Sequence, residues 1–129
     1  METLDYTVQV SKPFDAAVAI ILARIEKKGF HVLHVHNIRE TLASKGFDFE
    51  PMKIIEFCNA RYASQVLAKD KKASLMLPCR ITVFEDKGTT YVSAFRARIM
   101  TSLYPQAGLR AIAEEVDQAI LSIVRGANK

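Results

Sequence analysis

Residues 57–80 read FCNARYASQVLAKDKKASLMLPCR and hold both cysteines of the chain, Cys58 and Cys79. The stretch changes its periodicity twice. MKIIEFC at 52–58 has β-strand character, with Ile54 and Ile55 directed to opposite faces. Asn59 then offers a side-chain oxygen to the free N–H groups of a new helix, and ARYASQVLAKD is built from good helix formers, with Tyr62 and Val66 on one side. After a basic turn, alternation resumes at Cys79, with Cys79, Ile81 and Val83 facing one way and Arg80, Thr82 and Phe84 the other. A strand–cap–helix–strand unit is expected, with one cysteine at each junction.

Working towards the N-terminus, FHVLHVHNI is a run of β-branched and aromatic residues that predicts a strand. Strict alternation puts Phe30, Val32, His34 and His36 on one face and His31 on the other. Asn37 followed by Glu40 predicts a capped short helix that Gly46 stops, and FDFEP connects it to the next strand. Earlier still, Leu4, Tyr6, Val8 and Val10 share one face of a half-buried strand. Ser11 is the expected N-cap of a helix with Pro13 in its first turn, an apolar stripe through Val18, Ile21, Leu22 and Ile25, and Gly29 beyond its end.

Towards the C-terminus, CRITVFEDKGTTYVSAF predicts a hairpin with Lys87-Gly88 at the turn. Leu109, Ile112, Ala113, Val116, Ile120, Ile123 and Val124 then recur at helical spacing until Gly126. The predicted fold is α+β: one domain over residues 1–129, a two-layer sandwich whose mainly antiparallel sheet of about five strands carries helices on one face and a long C-terminal helix. The uncovered face includes Phe84, so a homodimer closed over that face is expected.

Composition excludes several classes. Of 129 residues half are apolar and a quarter charged, as in an ordinary folded domain. The net charge of +4 is scattered, and its densest run, AKDKKA at 68–73, is interrupted by Asp70 and lacks interleaved aromatics, so nucleic acid is not an expected partner. The longest apolar run, AAVAIILA at 16–23, falls short of the roughly 20 residues that cross a bilayer. The N-terminal METLDYTVQVSK lacks the pattern of a secretory signal, so a cytoplasmic protein with reduced cysteines is expected. No phosphate loop, G-x-S-x-G, H-E-x-x-H or C-x-x-C motif is present, so neither a catalytic motif nor a cofactor is identified.

The cysteines remain the candidates for chemistry, and three readings stay open. Cys58 ends a strand just before a capped helix, where the positive end of the helix dipole favours a thiolate. Cys58 and Cys79 could form a redox pair; bonding them would close a loop of about 20 residues and add roughly 3 kcal/mol of stability. With His34 and His36 they could also complete a tetrahedral metal site, or both could be small buried apolar side chains holding the wall of a pocket for a small ligand or partner protein.

CNA at 58–60 and LPC at 77–79, together with GFHVL at 29–33, TLASKGFDF at 41–49, LPCRITVFED at 77–86 and VSA at 92–94, resemble the domain-of-unknown-function 302 family. That resemblance implies a TATA-binding-protein-like α+β fold and a candidate site at the cysteines, without a reaction. The family's usual Cys-Asn-Pro is Cys-Asn-Ala here, with Ala60 in the proline's place. Where the family tends to have an acidic residue near 35 and Asp-Pro near 96–97, this chain has Val35, Arg96 and Ala97. Arg96 is accordingly the expected group to steady a thiolate or bound anion.

Overall fold

The computed structural model describes residues 3–128. Strand β1 (Asp5–Val10) leads to helix α1 (Phe14–Lys27), then β2 (His31–Asn37), the short α2 (Ile38–Ala43), β3 (Met52–Cys58) and α3 (Ala60–Lys69). A 3₁₀ segment (Lys71–Met76) precedes the hairpin β4 (Cys79–Asp86) and β5 (Thr89–Phe95). A second 3₁₀ turn (Ala97–Ile99), the one-turn α4 (Met100–Leu103) and the long α5 (Arg110–Arg125) complete the chain. The strands form one antiparallel sheet in the order β1-β5-β4-β3-β2.

Alternation gives the sheet one apolar side. Ile55, Phe57, Ile81, Val83, Val92 and Ala94 are fully or almost fully buried there. Ile21 and Ile25 of α1 and Ile120, Ile123 and Val124 of α5 form the facing layer of that core. Each such side chain stabilises the fold by about 1.5–3 kcal/mol relative to exposure. The two helices are also tied to each other. Arg24 of α1 donates from Nε to the carbonyl of Ile123 and from Nη2 to that of Ser122, both at 3.0 Å, satisfying carbonyls in the last turn of α5. Gly126 leaves room for that guanidinium, which a Cβ there would strike.

Most expected elements are present, including the turn at Lys87-Gly88, where both residues have positive φ (52° and 81°) as a type I′ hairpin requires. Two local expectations are corrected. Ser11 does not cap α1; Pro13 occupies the N-cap, and the Ser11 N–H donates to Asn128 Oδ1 at 3.0 Å while Asn128 Nδ2 donates to the Gln9 carbonyl at 3.0 Å. The alternation of β2 also breaks, because the register slips between Val32 and His34. Val32 pairs with Phe57 and packs on the core, whereas His34 and His36 pair with Glu56 and Ile54 on the open side. The extra residue, Leu33, is 54% exposed.

Candidate functional site: a sulfur-edged cavity at the end of the sheet

The site begins where β3 stops. Asn59 is extended, and its Oδ1 accepts from the Tyr62 N–H at 3.1 Å, capping α3, while its Nδ2 donates to the Gly29 carbonyl at 3.1 Å. One side chain therefore fixes both the start of α3 and the approach to β2. Cys58, held immediately before this cap, is half-buried. His31 on β2 stands opposite it in the register.

Cys79 opens β4 opposite Phe57, one step along the neighbouring strand from Cys58. With strands ~4.8 Å apart and a rise of ~3.4 Å, the two Cα atoms lie about 6 Å apart, within disulfide range, although regular alternation directs their Cβ atoms to opposite sides. Both are free thiols. Both also wall one cavity of about 20 Å³, closed by α3, the 3₁₀ segment and α5 through Tyr62, Val66, Met76 and Val116. That volume admits roughly one water-sized guest. Burial, and after it the charge of Cys58, pushes the Cys79 thiol up to about 12, so it is protonated at neutral pH. Burial and then the Glu115 carboxylate likewise raise the Tyr62 phenol, whose ring lies 4.7 Å below the Arg61 guanidinium.

Arg96 is engaged by a buried carboxylate. Its Nε and Nη2 donate to Asp117 Oδ1 and Oδ2 at 3.1 and 2.9 Å, and the Arg98 N–H adds a bond to Oδ1 at 3.3 Å. Asp117 is 1% exposed, so the guanidinium offsets a buried charge and ties the end of β5 to α5. Arg96 therefore has a structural role at the end of β5. Asp117 escaped the sequence reading, yet a lone carboxylate inside the stripe of Ala113, Val116 and Ile120 is the signal of a buried charge that needs a cation.

The histidines are likewise kept from Cys79. The slip at Leu33 places them on the open side, with ring centroids 4.3 Å apart and His36 Nε2 2.9 Å from Glu56 Oε1. Arg80 Nε lies 3.8 Å from the other oxygen of Glu56. Cys79 faces the core on the other side of the sheet, so the proposed set of two cysteines and two histidines does not converge. Among the described residues no three His, Cys, Asp or Glu side chains form a group able to hold a metal ion.

With this geometry in view, a family model described as "Domain of unknown function DUF302" matches residues 6–127. The chain belongs to the DUF302 family. A crystal structure of an uncharacterized conserved DUF302 protein from Bacillus stearothermophilus is similar to this domain at 27% identity, with a TM-score of 0.89 over 96% of this chain and 98% of that one. No curated protein matches this DUF302 domain. Its α3 starts at Ala60 with the Asn59 cap intact, so the alanine at this position leaves the junction formed. Among the described residues no helix is long and apolar enough to cross a membrane.

Proposed function

We propose that this DUF302 domain is a thiol-based binding module of the cytoplasm, in which Cys58 meets the guest and Cys79 backs it from the core. The carrying observation is that both cysteines line the same small cavity, one half-buried and one 8% exposed. Two free thiols fit a reducing compartment. The cavity volume argues against a free organic ligand, because sites for such molecules span about 300–1,000 Å³. A guest is therefore atom-sized or attached to Cys58 from outside.

Iodoacetamide labelling of the folded chain, followed by mass spectrometry, tests this. Cys58 becomes labelled under native conditions and Cys79 only on unfolding. Labelling of Cys58 that also waits for global unfolding overturns the reading.

A second observation favours self-association. Phe84 and Tyr91 stack on the open face with ring centroids 5.4 Å apart, beside the Thr82–Ser93 pair. A second copy closing over this face makes a homodimer. Sedimentation equilibrium then shows twice the chain mass of 14.4 kDa for the parent and a monomer for Phe84→Glu; a monomeric parent rejects the dimer.

A further inference from the structure

At the end of β3 away from the cysteines lies a larger opening, a groove of about 700 Å³. Met52 and Phe84 pair in the register and share the open side of the sheet, and Asp86, two residues further along β4, shares it with them. The segment after α2 forms the facing wall. Glu50 Oε1 accepts from the Lys87 N–H at 3.2 Å, which holds that segment against the hairpin turn next to Asp86. Phe47 and Phe49 are the two exposed phenylalanines among the described residues, both on this segment, and Phe49, 47% exposed, lines the groove. We infer that this groove binds a small organic ammonium ion, its cationic head at the acidic border and its apolar body on Phe49, Met52 and Phe84.

Charge selects the head group. Asp48, Glu50 and Asp86 border the groove with a single cation, Arg39. Glu85 borders it as well, although alternation directs its side chain to the other side of the sheet. Three carboxylates against one guanidinium leave the border negative in a chain whose net charge is +4, so this patch attracts what the rest of the molecule repels. An anion of the same shape meets those carboxylates and is disfavoured.

Size and lining select the body. A volume of about 700 Å³ falls within the roughly 300–1,000 Å³ of sites for small organic molecules, unlike the cavity at the cysteines. Exposed aromatic and aliphatic side chains gathered on one side give such a molecule apolar area to cover. Phenylalanine rings also attract a cation that comes within about 6 Å of their faces, so the same wall that buries the body favours the charged head. No bond is made or broken. Because the groove is separate from Cys58 and Cys79, it stands or falls independently of the thiol reading.

The test titrates the full, nitrogen-15-labelled chain with phenethylammonium chloride at pH 7 and low salt, following amide resonances. Saturable shifts centred on Phe49, Met52 and Asp86 are expected, with one ion bound per chain. The uncharged 2-phenylethanol binds about fivefold more weakly or worse, 3-phenylpropionate more weakly still, and 1 M salt, which screens charges beyond about 3 Å, removes most of the difference. Asp48→Asn with Asp86→Asn lowers ammonium affinity about fivefold without changing the melting temperature, since both side chains are exposed, and Phe49→Ala weakens the ammonium and the alcohol together. Phe84 is shared with the face of self-association and stays unchanged in every variant. The proposal is overturned if no saturation appears by about 10 mM, tenfold above a millimolar Kd, if the alcohol or the propionate binds as tightly as the ammonium, or if the doubly neutralised variant keeps the parent's affinity. Shifts at this groove with a lysine-bearing peptide but none with the small ammonium also overturn it, in favour of a protein partner.

Discussion

Of the carboxylates in this DUF302 domain that meet guanidinium groups, Asp117 and Glu56 do so in opposite surroundings. Asp117 is buried against Arg96 with two parallel hydrogen bonds and a third from a backbone N–H. Glu56 lies on the open sheet face, its side chain 24% exposed, shared between His36 at 2.9 Å and Arg80 at 3.8 Å. The same chemistry therefore does two jobs. At Asp117 the desolvated charge makes the pair indispensable once it exists, whereas at Glu56 water replaces whatever is removed.

The comparison breaks most severely at Asp117→Ala, which leaves the Arg96 guanidinium without its carboxylate beneath α5; denaturant unfolding is expected to show a loss of about 3–5 kcal/mol. Replacing both partners, as Arg96→Met with Asp117→Leu, is expected to cost much less than the sum of the single changes, because no charge is stranded. If the double variant is as unstable as that sum, the pair does more than neutralise its own burial. Next in size is Asn59→Ala, which removes the α3 cap and the donor to Gly29 together. A loss of about 1–2 kcal/mol is expected in the same measurement.

Glu56 gives the smallest effect and a distinct pH signature. The hydrogen bond from His36 is the largest influence and, with the nearby charges of His36 and Arg80, lowers the Glu56 carboxyl below its ordinary range despite opposing desolvation. A depressed folded-state pKa contributes stability above the unfolded value of about 4.3 and loses it as pH falls through the folded one. Glu56→Gln is thus expected to shift stability at pH 7 slightly and to flatten the decline below about pH 4.3. An unchanged acid limb shows that the open-face cluster has no part in acid unfolding.

Much of the architecture was legible because its signals are local. The Asn37 and Asn59 caps, the Lys87-Gly88 turn and the stripe of α5 each follow from a few neighbouring residues. The slip in β2 was not, since Leu33 is an ordinary strand residue and only pairing with β3 shows that it is one too many. That slip moved both histidines away from Cys79. The cysteines were found from their junctions, but Met76 and Met100 carry no pattern of their own and join the cavity only through the path of the 3₁₀ segment and α4. Arg96 was singled out while its partner was missed, because a carboxylate twenty-one positions along the chain becomes its neighbour only when α5 docks.

The strand order also sets a timetable. β1 pairs with β5 alone, Asp5 with Phe95 and Val10 with Thr90, and the bonds from Ser11 and Gln9 to Asn128 bridge 117 and 119 positions. On a ribosome β1 must wait unpaired until β5 has emerged, and its last fastening, to Asn128, waits until α5 has followed. At about 5–20 residues per second that delay lasts seconds. The alternating pattern of β1, with Asp5, Thr7 and Gln9 on its solvated side, keeps the waiting segment polar on one face, a safeguard against pairing with the wrong edge in the interval.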